Sequence, residues 1–513
     1  MNTGVLIIGG GVTGTGIARD LSLRGVPCTV VEKEDLNAGA SGANHGLLHS
    51  GARYIESDPA AAEECKEEGE LLKSLASQCI EDTGGLFVAV RGDDETYIAD
   101  FQERCRKCGI YCETIDTKTA REMEPALSDR LLAAYMVKDA SIDPFRLTLE
   151  NMADAIKHGA AFLRNKRVIK LHQDKRKITA VSVLDEKSGE ETTIETELVV
   201  NASGAWAGQI AEMVNVKIGM IYSKGTLLVS QNRIAGRVIN RLRRPSDGDI
   251  LVPGGVVSII GTTSSRIDSP DEISPDIEEA DFIIREAAVM APALETEQFI
   301  RAYSGVRPLV EVESENEDRS VSRGFTLIDH AANGLDNFVT ITGGKLTTYR
   351  LMAEKTSNLV CLKLDVKEPC KTRTVPLPDT GNGKWTEPAL SPKIWIAESD
   401  PGDTMLCECE MVSRRTVDSI IESLNRQNCI PDLNAIGLRS RVGKGPCQGT
   451  FCSAGLAAYL YDKGILTDEK GLSEIRRFLR ERWRGRHPIL TGDTLIRVDL
   501  LEAIYCGVAG LEL

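Results

Sequence analysis

No apolar run in the chain approaches the roughly 18–20 residues that a membrane-spanning helix needs. No fixed-period repeat recurs, and no low-complexity tract interrupts the sequence. Positive charge is in deficit: 61 Lys and Arg stand against 76 Asp and Glu, a net charge of −15. That balance argues against a nucleic-acid partner, because contact with phosphates dominates such binding. A secretory leader is not expected, since the N-terminus runs straight into an apolar strand. Fourteen cysteines without a leader point to a reducing, cytoplasmic setting, where thiols stay free or hold metal. At 513 residues the chain is too long for one ordinary domain, and its 42% hydrophobic content can build a full core.

The organising stretch is the first fifty-four residues. Val5-Leu6-Ile7-Ile8 reads as a buried parallel strand. Gly9-Gly10-Gly11-Val12-Thr13-Gly14 follows as G-x-G-x-x-G, then a helical pattern through Ile17, Ala18, Leu21 and Leu23 to Gly25. A second strand, Cys28-Thr29-Val30-Val31, ends at Glu32. Strand, glycine turn, helix, strand and acid together form the dinucleotide fingerprint. Gly9 permits the turn, Gly11 admits a pyrophosphate, and Gly14 lets the helix pack close. The helix N-terminus offers N–H groups and positive dipole to phosphate. Glu32 would accept hydrogen bonds from a ribose.

Residues 38–54 are small, glycine-rich and polar, and carry two of the six histidines. The run His45-Gly46-Leu47-Leu48-His49-Ser50-Gly51-Ala52-Arg53-Tyr54 suits a loop laid along an extended cofactor. It resembles the FAD-binding segment of the D-amino-acid-oxidase-like flavoproteins. Within them it is most similar to the A subunits of anaerobic sn-glycerol-3-phosphate dehydrogenases. Tyr303-Ser304-Gly305-Val306-Arg307-Pro308, Gly343-Gly344-Lys345-Leu346-Thr347 and Cys447-Gln448-Gly449 carry the same resemblance, which covers nearly the whole chain.

The resemblance implies an α/β fold: an FAD-binding Rossmann-like domain over 1–371, with antiparallel substrate-cap elements inserted at about 84–140 and 215–300. It also implies a set of FAD-binding residues. These are Gly9, Gly11, Val12, Thr13, Gly14, Glu32, Lys33, Ser41, Asn44, Gly46, Leu47, Val168, Ala202, Gly204, Gly343, Gly344, Lys345, Leu346 and Thr347. A backbone amide near Val168 would meet the adenine. The Gly343-Gly344 turn would aim a helix N-terminus at the electron-rich end of a reduced flavin. Cofactor-type strands are expected to resume twice after the cap, at Arg301–Val310 and at Phe338–Thr342.

Cys105, Cys108 and Cys112 read as C-x2-C-x3-C. No fourth ligand lies nearby, so small apolar residues at a helix end is the preferred reading. Residues 372–404 have the Pro, Gly, Thr and Ser content of a linker. Beyond it stand Cys407, Cys409, Cys447 and Cys452, two close pairs across a small helical module at 405–455. Two thiolates per iron suit a 2Fe–2S cluster; zinc on the same four thiolates is the competing metal. The spacing resembles the bacterioferritin-associated-ferredoxin-like domain. Arg439, Arg441 and Lys444 are expected to offset the cluster's charge. The tail, 456–513, reads as helical, with a basic segment at 475–487 that suits a partner protein or an anionic membrane surface and equally a solvated helix face.

FAD beside a 2Fe–2S centre makes a dehydrogenase with a remote one-electron acceptor. Arg53, Arg307, Arg323 and Lys345, with Tyr54 beside them, are candidates to bind an anionic substrate, since several cations favour a phosphorylated alcohol. His49 is the first candidate for general base; a buried His49 that only hydrogen-bonds the flavin stays open beside it, and Lys345 or Arg307 polarising the developing alkoxide is the next alternative. The resemblance implies oxidation of glycerol 3-phosphate to dihydroxyacetone phosphate. It further implies electron flow through partner subunits, peripheral at the membrane, to a quinone. A 2-hydroxy-acid or amino-acid dehydrogenase on the same fold remains open, as does a non-catalytic electron relay.

Overall fold

The computed structural model describes residues 2–271, 273–311, 324–378, 395–427 and 429–512. Arg323 and the middle of the 372–404 stretch lie outside the described residues. The centre is a sheet in which Ala161–Leu163, Cys28–Val31, Asn2–Ile8, Glu191–Asn201 and Phe338–Gly343 run parallel in that spatial order. Phe325–Asp329 closes the edge antiparallel. The hairpin Lys166–Asp174 and Lys177–Asp185 pairs with the outer half of Glu191–Asn201.

The first strand shows why its sequence is apolar throughout. Alternate side chains face opposite sides of a sheet, and here both sides are covered. Val5 and Ile7 pack with Ile17, Leu21 and Met352 from the helices. Leu6 and Ile8 pack with Val168 and Val181 from the hairpin. Helices Pro144–Lys157 and Tyr349–Lys363 flank Val12–Leu23.

The cap is a second sheet of nine strands. Its longest pair is Met220–Ser230 against Phe299–Val310, antiparallel from Met220↔Val310 to Ser230↔Phe299. This corrects one expectation: Arg301–Val310 belongs to the cap, not to the resumed cofactor sheet, so the second insertion ends near 310 rather than 300. One edge of Met220–Ser230 is taken by Val257–Gly261 and Ser265–Ile267, and Phe299–Val310 pairs with the other along its whole length. The cap is also not wholly antiparallel, because Val238–Arg241 runs parallel to Gly85–Val90. Cys105 and Cys108 pack in an apolar cluster with Phe101 and Tyr135, and Cys112 sits at its edge.

The cysteine-bearing region is a short hairpin, Met405–Cys407 with Val412–Ser413, followed by five helices: Arg414–Arg426, Leu433–Arg439, Cys452–Asp462, Lys470–Trp483 and Gly492–Ala509. Val417, Ile420, Leu424, Ile436, Leu456 and Phe478 form a core continuous with that of the first sheet. Buried ion pairs cross the same boundary. Asp35 holds Arg164 at 2.6 Å and Arg439 at 2.8 Å, and Asp432 takes Arg164 at 2.9 Å. Arg439 is therefore spent on Asp35, and Arg441 on Glu410 at 2.6 Å, which removes both from the expected charge balance of the cysteines. The basic segment is likewise partly used internally. Arg476 and Arg480 donate to the carbonyls of Gly510 and Glu512, just past the carbonyl end of the last helix, where cations are favourable. Among the described residues, no helix is long and apolar enough to cross a membrane.

Candidate active site

The cavity at the carboxyl ends of the parallel strands has a volume of about 560 Å³, within the range of cofactor and ligand sites. One end is the first glycine turn. A Cβ on Gly14 would come within 2.0 Å of the Gly9 carbonyl, so helix and turn touch only because it is absent. The Val12 N–H donates to Ser41 Oγ at 3.0 Å, which ties the helix start to the 38–46 loop. Glu32 is buried; its carboxylate accepts the N–H of Gly10 at 2.7 Å and of Glu34 at 2.9 Å. Burial pushes it up to about 7 against the pull of those two N–H groups. Lys33 lies 3.9 Å over the Trp206 ring, whose Nε1 donates to Asp271 at 2.6 Å. Trp206 and Asp271 line this end and carried no signal in the sequence beyond their residue types.

The other end is built by the second glycine turn. Gly343 and Gly344 have φ of +81° and +73°, and a Cβ on Gly344 would meet Met352 Sδ at 2.4 Å. Two successive left-handed residues swing the chain from strand Phe338–Gly343 into the turn Leu346–Thr348 and helix Tyr349–Lys363. That helix is pinned by Arg350, which makes a bidentate pair with Glu68 at 2.6 and 2.8 Å. Thr347 Oγ1 accepts the His49 N–H at 3.2 Å. The glycine turn and the histidine loop are thus fastened to each other.

His49, Arg53, Tyr54, Arg307 and Lys345 all line this one cavity. His49 is buried, with Nε2 3.3 Å from the Tyr54 oxygen. The Lys345 ammonium sits 4.7 Å over the Tyr54 ring. Arg307 crosses Gly225, where a Cβ would meet its Nη2 at 2.5 Å. It donates to Thr262 Oγ1, to the Thr263 carbonyl at 2.9 Å and to Ser223 Oγ at 3.3 Å. Arg53 donates to Asp249 at 3.2 Å. Nothing in the sequence pointed to Ser223, Asp249, Thr262 or Thr263.

Of the residues assigned to the cofactor, Gly9, Gly11, Val12, Thr13, Glu32, Lys33, Ser41, Asn44, Leu47, Val168, Ala202, Gly204, Gly343, Gly344, Lys345 and Leu346 line the cavity. Gly14, Gly46 and Thr347 do not. Gly14 lies behind the turn. A Cβ on Gly46 would come within 2.6 Å of the Ile142 carbonyl, so it serves strand contact. Thr347 holds His49.

The four cysteines come together apart from this cavity. Sγ of Cys409 is 3.8 Å from that of Cys407 and 3.7 Å from that of Cys447. Cys407 and Cys452 are buried, Cys447 is half-buried and Cys409 is exposed. Cys447 is driven down to about 2 by the thiols of Cys409 and Cys452 and by the N–H groups of Phe451 and Gly449, while Cys409 is pushed up. Burial, with Arg441 and Arg482, pushes Lys444 down to about 7. Crowded thiols, two of them buried, with N–H groups aimed at sulfur, fit an anionic metal–thiolate group.

Residues 4–357 match the family of FAD dependent oxidoreductases. The chain is 43% identical over 531 aligned positions to the A subunit of the anaerobic glycerol-3-phosphate dehydrogenase of Escherichia coli K12, covering 99% of this chain and 97% of that one. It is 35% identical to the A1 subunit of the corresponding enzyme of Haloferax volcanii, covering 98% and 89%. The glycerol-3-phosphate dehydrogenase of Bacillus halodurans, solved with FAD, superposes with a TM-score of 0.63 at 22% identity, covering 96% and 97%, and shares the fold. The cavity between two glycine turns is accordingly that of an FAD-dependent oxidoreductase, and the chain belongs to that family and, within it, to the family of anaerobic glycerol-3-phosphate dehydrogenase A subunits.

Proposed function

We propose that the chain oxidises sn-glycerol 3-phosphate to dihydroxyacetone phosphate. The observation that carries this reading is the convergence of Arg53, Arg307 and Lys345 with His49 and Tyr54 at the Gly343-Gly344 end of one cavity. Three cations suit a phosphate, and a histidine beside them suits removal of a hydroxyl proton. When bound, FAD supplies the hydride acceptor, and a 2Fe–2S centre supplies a one-electron outlet. Arg53, Arg307 and Lys345 bind and orient the phosphate. His49 takes the hydroxyl proton at a ring nitrogen, and Tyr54, 3.3 Å from Nε2, steadies the ring. The FAD-binding residues are those of the cavity named above, with Ser41 and Glu32 at the pyrophosphate and ribose end.

We assign the cluster to Cys407, Cys409, Cys447 and Cys452 and favour iron over zinc on their C-x-C and C-x4-C spacing. The domain division goes with it: an oxidoreductase unit over 1–371, a linker to 404, the cluster unit at 405–455 and a helical tail. Relatives carry the name of one subunit of an enzyme, so partner subunits would take the electrons onward to a quinone, with peripheral membrane contact made through them.

The test is anaerobic bleaching of the flavin by a panel of phosphorylated alcohols, hydroxy acids and amino acids. Selective bleaching by sn-glycerol 3-phosphate is expected. Bleaching by lactate or an amino acid instead would overturn the substrate, and no bleaching at all would leave an electron relay.

A further inference from the structure

The loop that carries His49 turns at Gly51 into the single helical turn Ala52–Tyr54. Arg53 leaves that turn buried, 8% exposed, and reaches the cavity wall. Its two terminal nitrogens meet different surroundings. Nη2 donates to Asp249 Oδ2 at 3.2 Å and to the Ser246 carbonyl at 3.4 Å. Nη1 is buried with no hydrogen-bond acceptor. A buried N–H without an acceptor is costly, and the cost is relieved when an anionic oxygen fills the gap.

What holds Nη2 is itself fixed. Asp249 is fully buried and stands outside the cavity lining. Its Oδ2 also accepts the Ser246 N–H at 2.6 Å, and its Oδ1 accepts Arg243 Nε at 2.8 Å. Arg243 pairs with Glu286 at 2.9 Å, Glu286 with Arg241 at 3.2 Å, and Arg241 with Asp93 at 2.9 Å. Cations and carboxylates alternate from Arg53 to Asp93 and balance in number, so the array stands before any ligand arrives. Such advance fixing lets a binding group act without being ordered by its ligand.

We propose that Asp249 is a positioning residue that anchors one edge of the Arg53 guanidinium so that Nη1 faces the substrate's phosphate. This rests on the phosphorylated-alcohol reading given above. Asp249 touches neither substrate nor flavin; it acts through Arg53 alone. Arg53 therefore recognises the phosphate from the cap side, because Asp249 opens the cap strand Ile250–Gly254.

The experiment compares sn-glycerol 3-phosphate with glycerol, and measures inhibition by inorganic phosphate, in the wild type and in Asp249→Asn. Asparagine keeps the shape and removes the charge that orients Arg53. The KM for sn-glycerol 3-phosphate and the inhibition constant for phosphate should both rise about tenfold, with kcat changed far less and glycerol turnover unmoved. Asp249→Asn added to Arg53→Ala should cost nothing further, since the carboxylate then has no arginine to aim. A merely structural role would lower turnover of both substrates together, and additive losses in the double variant would overturn the proposal. If Asp249→Asn does not retain flavin, Asp249→Glu keeps the charge but displaces it by one methylene, and the same selective rise in KM is expected; unchanged KM there would also overturn it. A wild type with no preference for the phosphorylated alcohol would instead refute the substrate reading.

Discussion

The phenol oxygen of Tyr54 lies 3.3 Å from Nε2 of His49, with the two rings 5.2 Å apart and edge to face. The pair is held from behind by Thr347, which accepts the His49 N–H, and from the side by Lys345 over the Tyr54 ring. A histidine so fixed keeps its ring in a constant orientation at the cavity wall. His49→Asn should therefore lower kcat by about 10²–10⁴-fold, the usual worth of a positioned general base, while flavin content stays at one per chain. Tyr54→Phe should cost less. A His49→Asn variant with near-normal kcat would hand the proton to another group, Lys345 first.

Arg307 offers a second test because its geometry suits a planar fork. Ser223, Thr262 and Thr263 accept from the guanidinium, and Thr262 lines the cavity beside it. Arg307→Ala should raise KM about tenfold or more, as the loss of a charged hydrogen bond implies. Arg307→Lys should recover little, since one ammonium cannot meet those acceptors and a phosphate together. Gly225→Ala is the subtler probe: its Cβ would meet Arg307 Nη2 at 2.5 Å and push the fork aside. Its KM should rise with flavin content unchanged. A normal KM in all three variants would remove Arg307 from the substrate's binding site.

The protein as isolated anaerobically should be yellow-brown and hold about one FAD and two irons per chain. Cys447→Ser should remove the iron and leave bleaching of the flavin by substrate intact, because the four thiols lie outside the flavin cavity. Zinc in place of iron would overturn the cluster assignment. Loss of bleaching together with the iron would mean that the continuous core between the two regions transmits the damage.

The cofactor end was readable because its chemistry is local. A glycine turn, its strand and its acid lie within 32 residues, and their periodicity and spacing are enough to align them. The cluster cysteines were readable for the same reason, as two short motifs. Asp249, Thr262 and Thr263 were not, since each acquires meaning only across the cap sheet, where Arg53 and Arg307 reach them from distant segments. Strand Phe299–Val310 is misplaced by its sequence for a related reason. Its apolar pattern fits either sheet, and only the eleven-residue pairing with Met220–Ser230 decides. Arg439 is near the cysteines in sequence, yet its side chain turns the other way to Asp35.

The boundary between the first sheet and the cysteine region supplies the last prediction. Asp432 caps helix Leu433–Arg439 by accepting the Ala435 N–H at 2.7 Å, and it also takes Arg164, Lys187 and Arg477. Burial alone would raise its pKa, but Arg164 and Lys187 outweigh burial and hold it well below the usual carboxylate range. A carboxyl whose folded-state pKa is depressed adds stability above its unfolded value, about 3.9, and loses that contribution as pH falls toward the folded value. Asp432→Asn leaves Arg164 buried with Asp35 as its remaining carboxylate, and breaking a buried pair costs about 3–5 kcal/mol. The variant should thus show faster proteolysis and hydrogen exchange across 405–512 at pH 7, ahead of the first sheet. The gap from wild type should narrow as pH falls below about 4, because the unfolded wild type then takes up a proton that the folded carboxylate still resists. A variant that matches the wild type at pH 7 would show that Asp432 acts only as a helix cap, a role asparagine keeps, and that its ion pair does not fasten the two regions.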